Sequence, residues 1–171
     1  MDRTGKAAPV AFNKHGAVDV HAWARANGVR SEQILDLGNV PNALMPSVLR
    51  EMNVAVFPNR AEGGTNLVAM ECMACGLPVI LSGNTGHRDL IENGNCYVLE
   101  HQRPVPGAFA GVGGVSGWGE SDVEELVTRL EQIFDDHAEA ARRGALAANT
   151  VSKLSWAATA AGVKRLVLDC V

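Results

Sequence analysis

Short runs of apolar residues recur along the chain, and between them apolar residues follow helical spacing. Three of these runs, at residues 54–57, 78–81 and 96–99, are each bordered by glycine, proline or asparagine. Strands that are apolar on both faces are typical of a parallel sheet covered by helices on either side. The pattern therefore predicts an α/β domain built around a parallel sheet.

The remaining elements before residue 100 follow from periodicity and from residues that end helices. A helix over 18–27 is predicted to end at Gly28, and a helix over 66–75 at Gly76, because glycine readily adopts the backbone that closes a helix. Further helices are predicted at 45–52 and 86–91, and a further strand at 33–37.

The chain changes character after residue 100. Residues 101–119 contain six glycines and two prolines, which predicts a loop. A glycine run within it suggests a dinucleotide-binding motif, but no strand precedes the run and Ser116 occupies the place of the third glycine, so we do not favour that function. Residues 121–169 form a helical C-terminal part, in which Ser121 is the predicted N-cap, with Glu124 completing a capping box. Its three helices, at 121–134, 136–151 and 155–168, are expected to serve packing.

The strongest chemical signal is the segment 62–71, Glu-Gly-Gly-Thr-Asn-Leu-Val-Ala-Met-Glu, which follows an apolar strand. Its two glycines let backbone amides approach a ligand without an intervening β-carbon. A helix that begins at Thr65 or Asn66 offers unpaired N–H groups and a partial positive charge to a phosphate. Glu62 and Glu71 repel phosphate but accept hydrogen bonds from hydroxyl groups. The segment therefore predicts a ligand that carries both a phosphate and a sugar.

Each of these residues also has a structural interpretation. Glu62 could be a solvated loop charge, although its place after a parallel strand, where open α/β sheets bind ligands, favours a functional role. Glu71 lies in an otherwise apolar helix, so it could belong to a buried ion pair. Thr65 and Asn66 could serve only as helix caps, and capping is compatible with ligand binding because it satisfies only some of the free N–H groups.

Two other groups of residues have chemical potential. His87 and Arg88 lie near the same predicted edge of the sheet, where they could contact a phosphate or lie in a solvated loop. Cys72 and Cys75 have the spacing of a metal or redox pair, but zinc requires four ligands and no second pair is present. We therefore expect both thiols to be buried, unbridged and free of metal.

Residues 71–80, Glu-Cys-Met-Ala-Cys-Gly-Leu-Pro-Val-Ile, form a longer motif with the segments 37–40 and 86–94 and with Ser155-Trp156 at the start of the last helix. Together these stretches resemble the donor-binding C-terminal domain of GT-B glycosyltransferases, close to retaining family 4. That family carries two glutamates with seven residues between them, followed by Ala-Met-Ala-x-Gly-x-Pro-Val. The resemblance implies a single Rossmann-like domain with a parallel sheet, the C-terminal half of a GT-B architecture.

One departure from the family pattern concerns the first glutamate. Eight residues rather than seven separate Glu62 from Glu71, because Gly-Gly-Thr-Asn replaces the usual Gly-aromatic-Gly. The extra residue is expected to lengthen the loop and to leave the helix register intact, since the sequence aligns again from Leu67 onward. The placement of Glu62 is therefore the part of the site that the motif defines least.

The resemblance also implies a reaction, the transfer of a hexosyl group from a nucleotide-diphosphate sugar with retention at the anomeric carbon. No metal or other cofactor is expected, because helix dipoles and basic side chains stabilise the diphosphate leaving group. Glu62 is expected to be the catalytic-site carboxylate that accepts hydrogen bonds from the donor sugar, and Glu71 to hold the ribose hydroxyls. The other expected contacts are backbone groups of Gly63, Gly64, Thr65, Asn66, Asn39 and Pro41.

Length sets the expected organisation. A complete GT-B enzyme clamps its donor between two domains, and 171 residues can hold only one. Residues 1–30 are expected to be a partial N-terminal segment and residues 31–171 the nucleotide-sugar-binding domain. The acceptor domain is expected in cis or in trans, and the isolated chain is expected to be inactive. The alternatives are a split subunit, or a degenerate nucleotide-binding module that acts through a partner protein.

Composition and charge narrow the class of protein further. The net charge of −4 argues against nucleic acid as a partner, because proteins that bind nucleic acid present a basic face. No run approaches the ~18 apolar residues that span a bilayer, and the first residues lack the pattern of a secretory signal. We expect a cytoplasmic protein, with any membrane association peripheral and made through the missing domain.

Overall fold

The computed structural model describes residues 8–105 and 114–169. Its contacts divide the chain into two compact units, Met1–Asn42 and Ala43–Val171. The sequence placed a boundary after residue 30, whereas the contacts separate the chain after Asn42.

In its described residues, the first unit contains one α-helix, α1 (Val20–Ala26), and a short 3₁₀ turn at Ser31–Gln33. The carboxylate of Asp19 caps α1, and Gly28 follows with a φ of 80°, which confirms the predicted end of this helix. The strand predicted at 33–37 is wrong. No described strand pairs with this segment, and an extended stretch without a partner does not form a sheet.

A three-stranded parallel sheet forms the centre of the second unit. Its strands are β1 (Ala55–Phe57), β2 (Val79–Ser82) and β3 (Tyr97–Leu99), in the order β1-β2-β3. The register pairs Ala55 with Val79 and Ile80 with Tyr97. The parallel direction confirms the predicted α/β class.

The position of β1 in the sheet differs from expectation. The apolar run at 54–57 predicts an interior strand, but among the described strands β1 lies at one edge, and Val56 on it is 37% exposed. Its apolar sequence suits an interior strand, so composition alone does not distinguish the two positions.

Five α-helices accompany the sheets in the described part of the second unit: α2 (Met45–Arg50), α3 (Leu67–Ala74), α4 (Val123–Asp135), α5 (His137–Ser152) and α6 (Trp156–Asp169). One core cluster joins Met73 of α3 and Ala147 of α5 to the sheet. A second cluster joins Ile133 of α4 and Ala140 of α5 to Ile80 and the neighbouring strand β3. No residue of α6 is buried, so the expected packing role of this helix is not seen.

The segment predicted as a loop at 101–119 contains regular structure at both ends. Strand β4 (Gln102–Pro104) pairs antiparallel with β5 (Gly119–Ser121), and residues 106–113 between them lie outside the described residues. Because Ser121 belongs to β5, the N-cap of α4 is Asp122 instead, and its carboxylate accepts hydrogen bonds from the amides of Glu124 and Glu125. No helix among the described residues combines the length and hydrophobicity needed to cross a bilayer.

Candidate functional site

Polar residues that follow β1 and β2 join the carboxyl ends of these two strands. The Ser82 hydroxyl donates a hydrogen bond to the carbonyl oxygen of Asn59 at 2.9 Å. The side-chain amide of Asn84 donates to the same oxygen, also at 2.9 Å. The loops after the two strands are therefore held together at the edge where open α/β sheets bind ligands.

The glycine loop, residues 62–66, rests on the segment that follows β2. The amide of Glu62 donates to the Thr85 hydroxyl oxygen at 2.7 Å, and the amide of Gly86 donates to the carbonyl oxygen of Glu62 at 3.3 Å. Gly63 and Gly64 are exposed, and a β-carbon built on either glycine meets no atom within 4 Å. The loop is thus fixed on one side and open to a ligand on the other.

Thr85 has an unusual backbone for a β-branched residue. Its φ of 36° lies in the left-handed region, which side chains of this type rarely adopt. Its hydroxyl accepts from the Glu62 amide and donates to the side-chain oxygen of Asn84 at 3.0 Å. Strained residues of this kind persist where surrounding contacts hold them, and they concentrate at ligand-binding sites.

The structure places Glu62 at the carboxyl edge of the sheet, as predicted. Its side chain is half-buried, and the side-chain amide of Asn59 donates to one carboxylate oxygen at 3.4 Å. The extra residue of the loop does not displace it from this edge, because its backbone is bonded to both Thr85 and Gly86.

Asn66, the last residue of the glycine loop, is the N-cap of α3 and is buried. Its side-chain oxygen accepts from the Ala69 amide at 3.0 Å, and its side-chain nitrogen lies 2.9 Å from Nε2 of His87. Nδ1 of His87 lies 2.8 Å from the Ser82 hydroxyl oxygen. The helix predicted to begin at Thr65 or Asn66 therefore begins with a cap that is linked through His87 to the end of β2.

His87 is fully buried, so it does not lie in a solvated loop. Since the Ser82 hydroxyl already donates to Asn59, its oxygen is free to accept a hydrogen bond from Nδ1–H of His87. Nε2 then accepts from the Asn66 amide, and this assignment describes a neutral imidazole. Burial lowers the pKa of His87 below its ordinary value, against the opposing effects of the Ser82 backbone and the Glu62 carboxylate. Arg88 is exposed, and its Nε donates to the Gly83 carbonyl oxygen at 3.1 Å.

The other predicted site residues have different surroundings. Glu71 is exposed on α3, so a buried ion pair at this position is wrong. It borders a shallow cavity of about 300 Å³ with Leu67, Met70 and Val151. Thr65 is half-buried in the glycine loop. Asn39 and Pro41 are exposed residues of the first unit, and the segment before them is not the strand that was expected.

The two cysteines of α3 are free thiols, but they differ in exposure. Cys72 is buried as expected, whereas Cys75 is only half-buried at the C-cap. Burial is the main cause that raises the pKa of Cys72 to about 11. In the part of the chain that the structure describes, no three His, Cys, Asp or Glu side chains are grouped closely enough to hold a metal ion.

Sequence reasoning missed several residues that shape the site. Asn84 donates to the side-chain oxygen of Gln102 at 2.9 Å, and Gln102 donates to the Ser121 hydroxyl oxygen at 2.9 Å, so the β4–β5 pair is bonded to the site. Arg60 forms a 3.1 Å ion pair with Glu120 of β5. Polar residues directly after an apolar strand are a sequence signal for Asn59, Ser82, Asn84 and Thr85, but nothing local indicates the contact with Gln102.

The site thus combines a glycine loop, a helix N-terminus and the carboxyl edge of a parallel sheet, which is the arrangement in which many α/β proteins bind phosphate groups. The particular family follows from sequence comparison, because the model for glycosyl transferases group 1 matches residues 11–112, more than half of the chain. The chain belongs to this family.

Solved structures show the same GT-B fold. A sucrose-phosphate synthase from Thermosynechococcus elongatus superposes with a TM-score of 0.67 at 22% identity, covering 88% of this chain and 33% of that one. Anabaena HepE in complex with UDP superposes with a TM-score of 0.63 at 20% identity, covering 89% and 36%. HepE in complex with UDP-glucose gives a TM-score of 0.57 at 20% identity, covering 78% and 31%.

The comparisons also show how much of each solved structure the chain covers. It spans about a third of the length of the solved structures that it resembles. No curated protein matches the sequence significantly.

Proposed function

We propose that the second unit is the donor-binding domain of a retaining glycosyltransferase that transfers a hexosyl group from a nucleotide-diphosphate sugar. The observation that carries this proposal is the glycine loop, which is open on one side and bonded through Glu62 to Thr85 and Gly86 on the other. The group 1 glycosyl transferase family supports it, and the complexes of HepE with UDP and UDP-glucose indicate the nucleotide to test.

The N-terminus of α3 is the proposed site for the diphosphate. The Asn66 side chain caps the Ala69 amide, so the N–H groups earlier in the first turn remain available to a phosphate oxygen. The glycines at 63 and 64 allow close approach from the exposed side. These groups stabilise negative charge on the leaving diphosphate without a metal ion, so we propose that the reaction needs no metal cofactor.

The two glutamates have separate proposed roles. Glu62 lies in the glycine loop with one carboxylate oxygen bonded weakly to Asn59, and it would accept hydrogen bonds from hydroxyl groups of the donor sugar. Glu71 lies more than one turn into α3 and is exposed. It would accept hydrogen bonds from the ribose.

Transfer needs an acceptor site in addition to a donor site. We propose that an acceptor domain, in the same polypeptide or in a partner, completes the enzyme, and that residues 1–171 alone bind nucleotide without transferring sugar. We place this activity in the cytoplasm, with any membrane contact made through the acceptor domain.

Titrations with UDP and with UDP-glucose, monitored by NMR, test the donor site and the separate roles of Glu62 and Glu71. Losing a carboxylate that binds hydroxyl groups weakens affinity by roughly ten- to a hundred-fold. Glu71→Ala is therefore expected to weaken both ligands, whereas Glu62→Ala weakens UDP-glucose and leaves UDP nearly unchanged. Glu124→Ala, which removes an exposed carboxylate on α4, is the matched control and leaves both affinities unchanged.

Two results contradict the proposal in different ways. Equal losses for both ligands in both variants would disprove the separate roles of Glu62 and Glu71. If the unaltered protein binds neither UDP nor UDP-glucose, and the same holds when an acceptor domain is present, the donor site itself is wrong.

A further inference from the structure

We propose that His87 is a positioning residue of the donor site: its neutral imidazole ties the N-cap of α3 to the end of β2 and so holds the helix N-terminus in the geometry that binds the diphosphate. This inference rests on the proposed function. His87 itself does not contact the ligand, because it is fully buried beneath the glycine loop.

A chain of hydrogen bonds with one consistent direction carries the proposal. The Ser82 hydroxyl donates to the Asn59 carbonyl oxygen, and Nδ1–H of His87 donates to the Ser82 oxygen. The Asn66 side-chain amide donates to Nε2 of His87, and the Ala69 amide donates to the Asn66 side-chain oxygen. The last bond is the cap of α3, so the imidazole connects the loop after β1 to the first turn of the proposed phosphate site.

Only one placement of the His87 proton and one orientation of the Asn66 side-chain amide satisfy every hydrogen bond in this series. A proton on Nε2 would face the N–H groups of Asn66, so two donors would oppose each other. If the Asn66 side-chain amide were rotated, its oxygen could accept from Nε2–H of a His87 imidazolium. Its nitrogen would then face the backbone N–H of Ala69, and the cap would be lost. The imidazolium is therefore incompatible with the cap as the structure shows it.

The groups around the imidazole define how it responds to pH. The backbone of Ser82 at the end of β2 and the Glu62 carboxylate of the glycine loop favour the imidazolium, but burial disfavours it more strongly, so the pKa of His87 is lowered. From β2 and α3 it meets the uncharged Ser82 and Asn66, and from β1 the edge of the Phe57 ring at 6.4 Å between centroids. The neighbouring side chain of Arg88 is exposed and bonded to the Gly83 carbonyl oxygen.

Two variants of the 171-residue chain separate positioning from simple packing. His87→Leu fills the space but leaves Asn66 and Ser82 without their partners, and is expected to weaken UDP binding about tenfold, the effect of one misplaced charge-assisted hydrogen bond. His87→Gln can donate to Ser82 and accept from Asn66, and is expected to restore affinity to within about threefold of the unaltered protein. His137→Gln, at an exposed histidine that begins α5, is the matched control and has no effect.

The pH profile provides a readout that does not depend on the leucine variant folding. UDP affinity is measured from neutral pH down to about pH 5, a range in which the terminal phosphate of UDP also titrates. The His87→Gln variant retains the titration of the ligand and lacks that of the imidazole. The unaltered protein is expected to lose affinity more steeply than His87→Gln below pH 6.5, the ordinary pKa of histidine.

Ring ¹⁵N spectra test the structural premise without any ligand, and are expected to show His87 neutral with its proton on Nδ1 at neutral pH. A proton on Nε2, or a folded His87→Leu variant that binds UDP as the unaltered protein does, overturns the positioning role and leaves the proposed function intact. Parallel pH profiles for the unaltered protein and His87→Gln overturn it as well. Failure of the unaltered protein to bind UDP overturns the proposed function and this inference together.

Discussion

Gly86 packs against the carbonyl oxygen of Gly64 so closely that a β-carbon at position 86 would overlap this oxygen. The amide of Gly86 also donates to the carbonyl oxygen of Glu62, 3.2 Å from where that β-carbon would lie. The segment after β2 therefore supports the glycine loop through backbone contacts that only glycine permits. The two loops form one structural unit, although they are more than twenty residues apart in sequence.

Gly86→Ala is expected to displace the glycine loop. Overpacking of this kind costs typically ~1–3 kcal/mol, and here the atoms in the way are backbone rather than a flexible side chain. We expect a lower free energy of unfolding in urea and weaker UDP binding. The control is Gly162→Ala in α6, where a β-carbon meets no atom within 4 Å and alanine is expected to stabilise the helix by roughly 0.5–1 kcal/mol. Equal stability of the Gly86→Ala and unaltered proteins would disprove the close contact.

Gly144→Ala tests the packing of α5 on the end of α3. Gly144 is buried, and a β-carbon there would overlap the carbonyl oxygen of Gly76 and lie 3.4 Å from the backbone nitrogen of Pro78. Alanine normally favours a helix over glycine, but here the steric overlap is expected to reverse the sign and to destabilise the protein by ~1–3 kcal/mol. Urea unfolding measures the change. Stabilisation, as expected for Gly162→Ala, would show that the helices are not in contact at this point.

Glu125 stabilises the turn between β3 and β4. Its carboxylate accepts from the amides of Glu100 and His101 at 3.0 and 2.9 Å, and Arg129 lies 3.2 Å away. Burial raises the pKa of Glu125, but these amides and the two basic side chains outweigh it, so that the pKa lies below its ordinary value of 4.5. Glu125→Gln offers one oxygen to two amides and is expected to cost about 1–3 kcal/mol at neutral pH.

The pH dependence of this loss has a definite sign. A carboxyl whose pKa is lowered by folding contributes stability above about pH 4.5, and this contribution disappears as the pH falls through the lower folded pKa. The difference between the unaltered protein and Glu125→Gln is therefore expected to shrink below pH 4.5. Glu124→Gln, at the exposed neighbour, is the control and should change stability by only a few tenths of a kcal/mol. A difference that is constant with pH would contradict the lowered pKa.

The thiols are expected to react in an order set by burial. Burial is the leading cause that raises the pKa of Cys72 and Cys96 to about 11, so that only about one molecule in a thousand carries either thiolate at pH 8. In a Cys170→Ser background, a thiol reagent should label the half-buried Cys75 first and the other two only on unfolding. Mass spectrometry of the labelled peptides identifies the order. Early labelling of Cys72 would show that α3 opens locally.

Much of the candidate site could be predicted because its signals are local. The start of α3 depends on a cap that reaches three residues, from Asn66 to Ala69, and its end on Gly76 with a φ of 74°. Three apolar runs predicted the three parallel strands to within about a residue of where they lie. The functional roles of Glu62 and Glu71 remain predictions, since no comparison tests them.

Other features depend on residues far apart in the chain. The extended segment at 34–37 looks like a strand but has no described partner, whereas β4 and β5 lie in a stretch that looks like a loop and pair with each other. Sequence reasoning left His87 as either a phosphate contact or a solvated residue, and the fold buries it between Asn66 and Ser82. A pattern read along the chain contains no information on such partners.

The sequence by itself thus determined the α/β class and where α1 and α3 end, and it predicts a site for a phosphate and a sugar at 62–71. These features follow from backbone preferences and side-chain contacts within one or two helical turns. Only the tertiary structure decided the edge position of β1, the burial of His87 and the contact of Gly86 with Gly64. Strand order, burial and the solvation of a titratable group depend on which distant residues exclude water, and this is known only when the chain is folded.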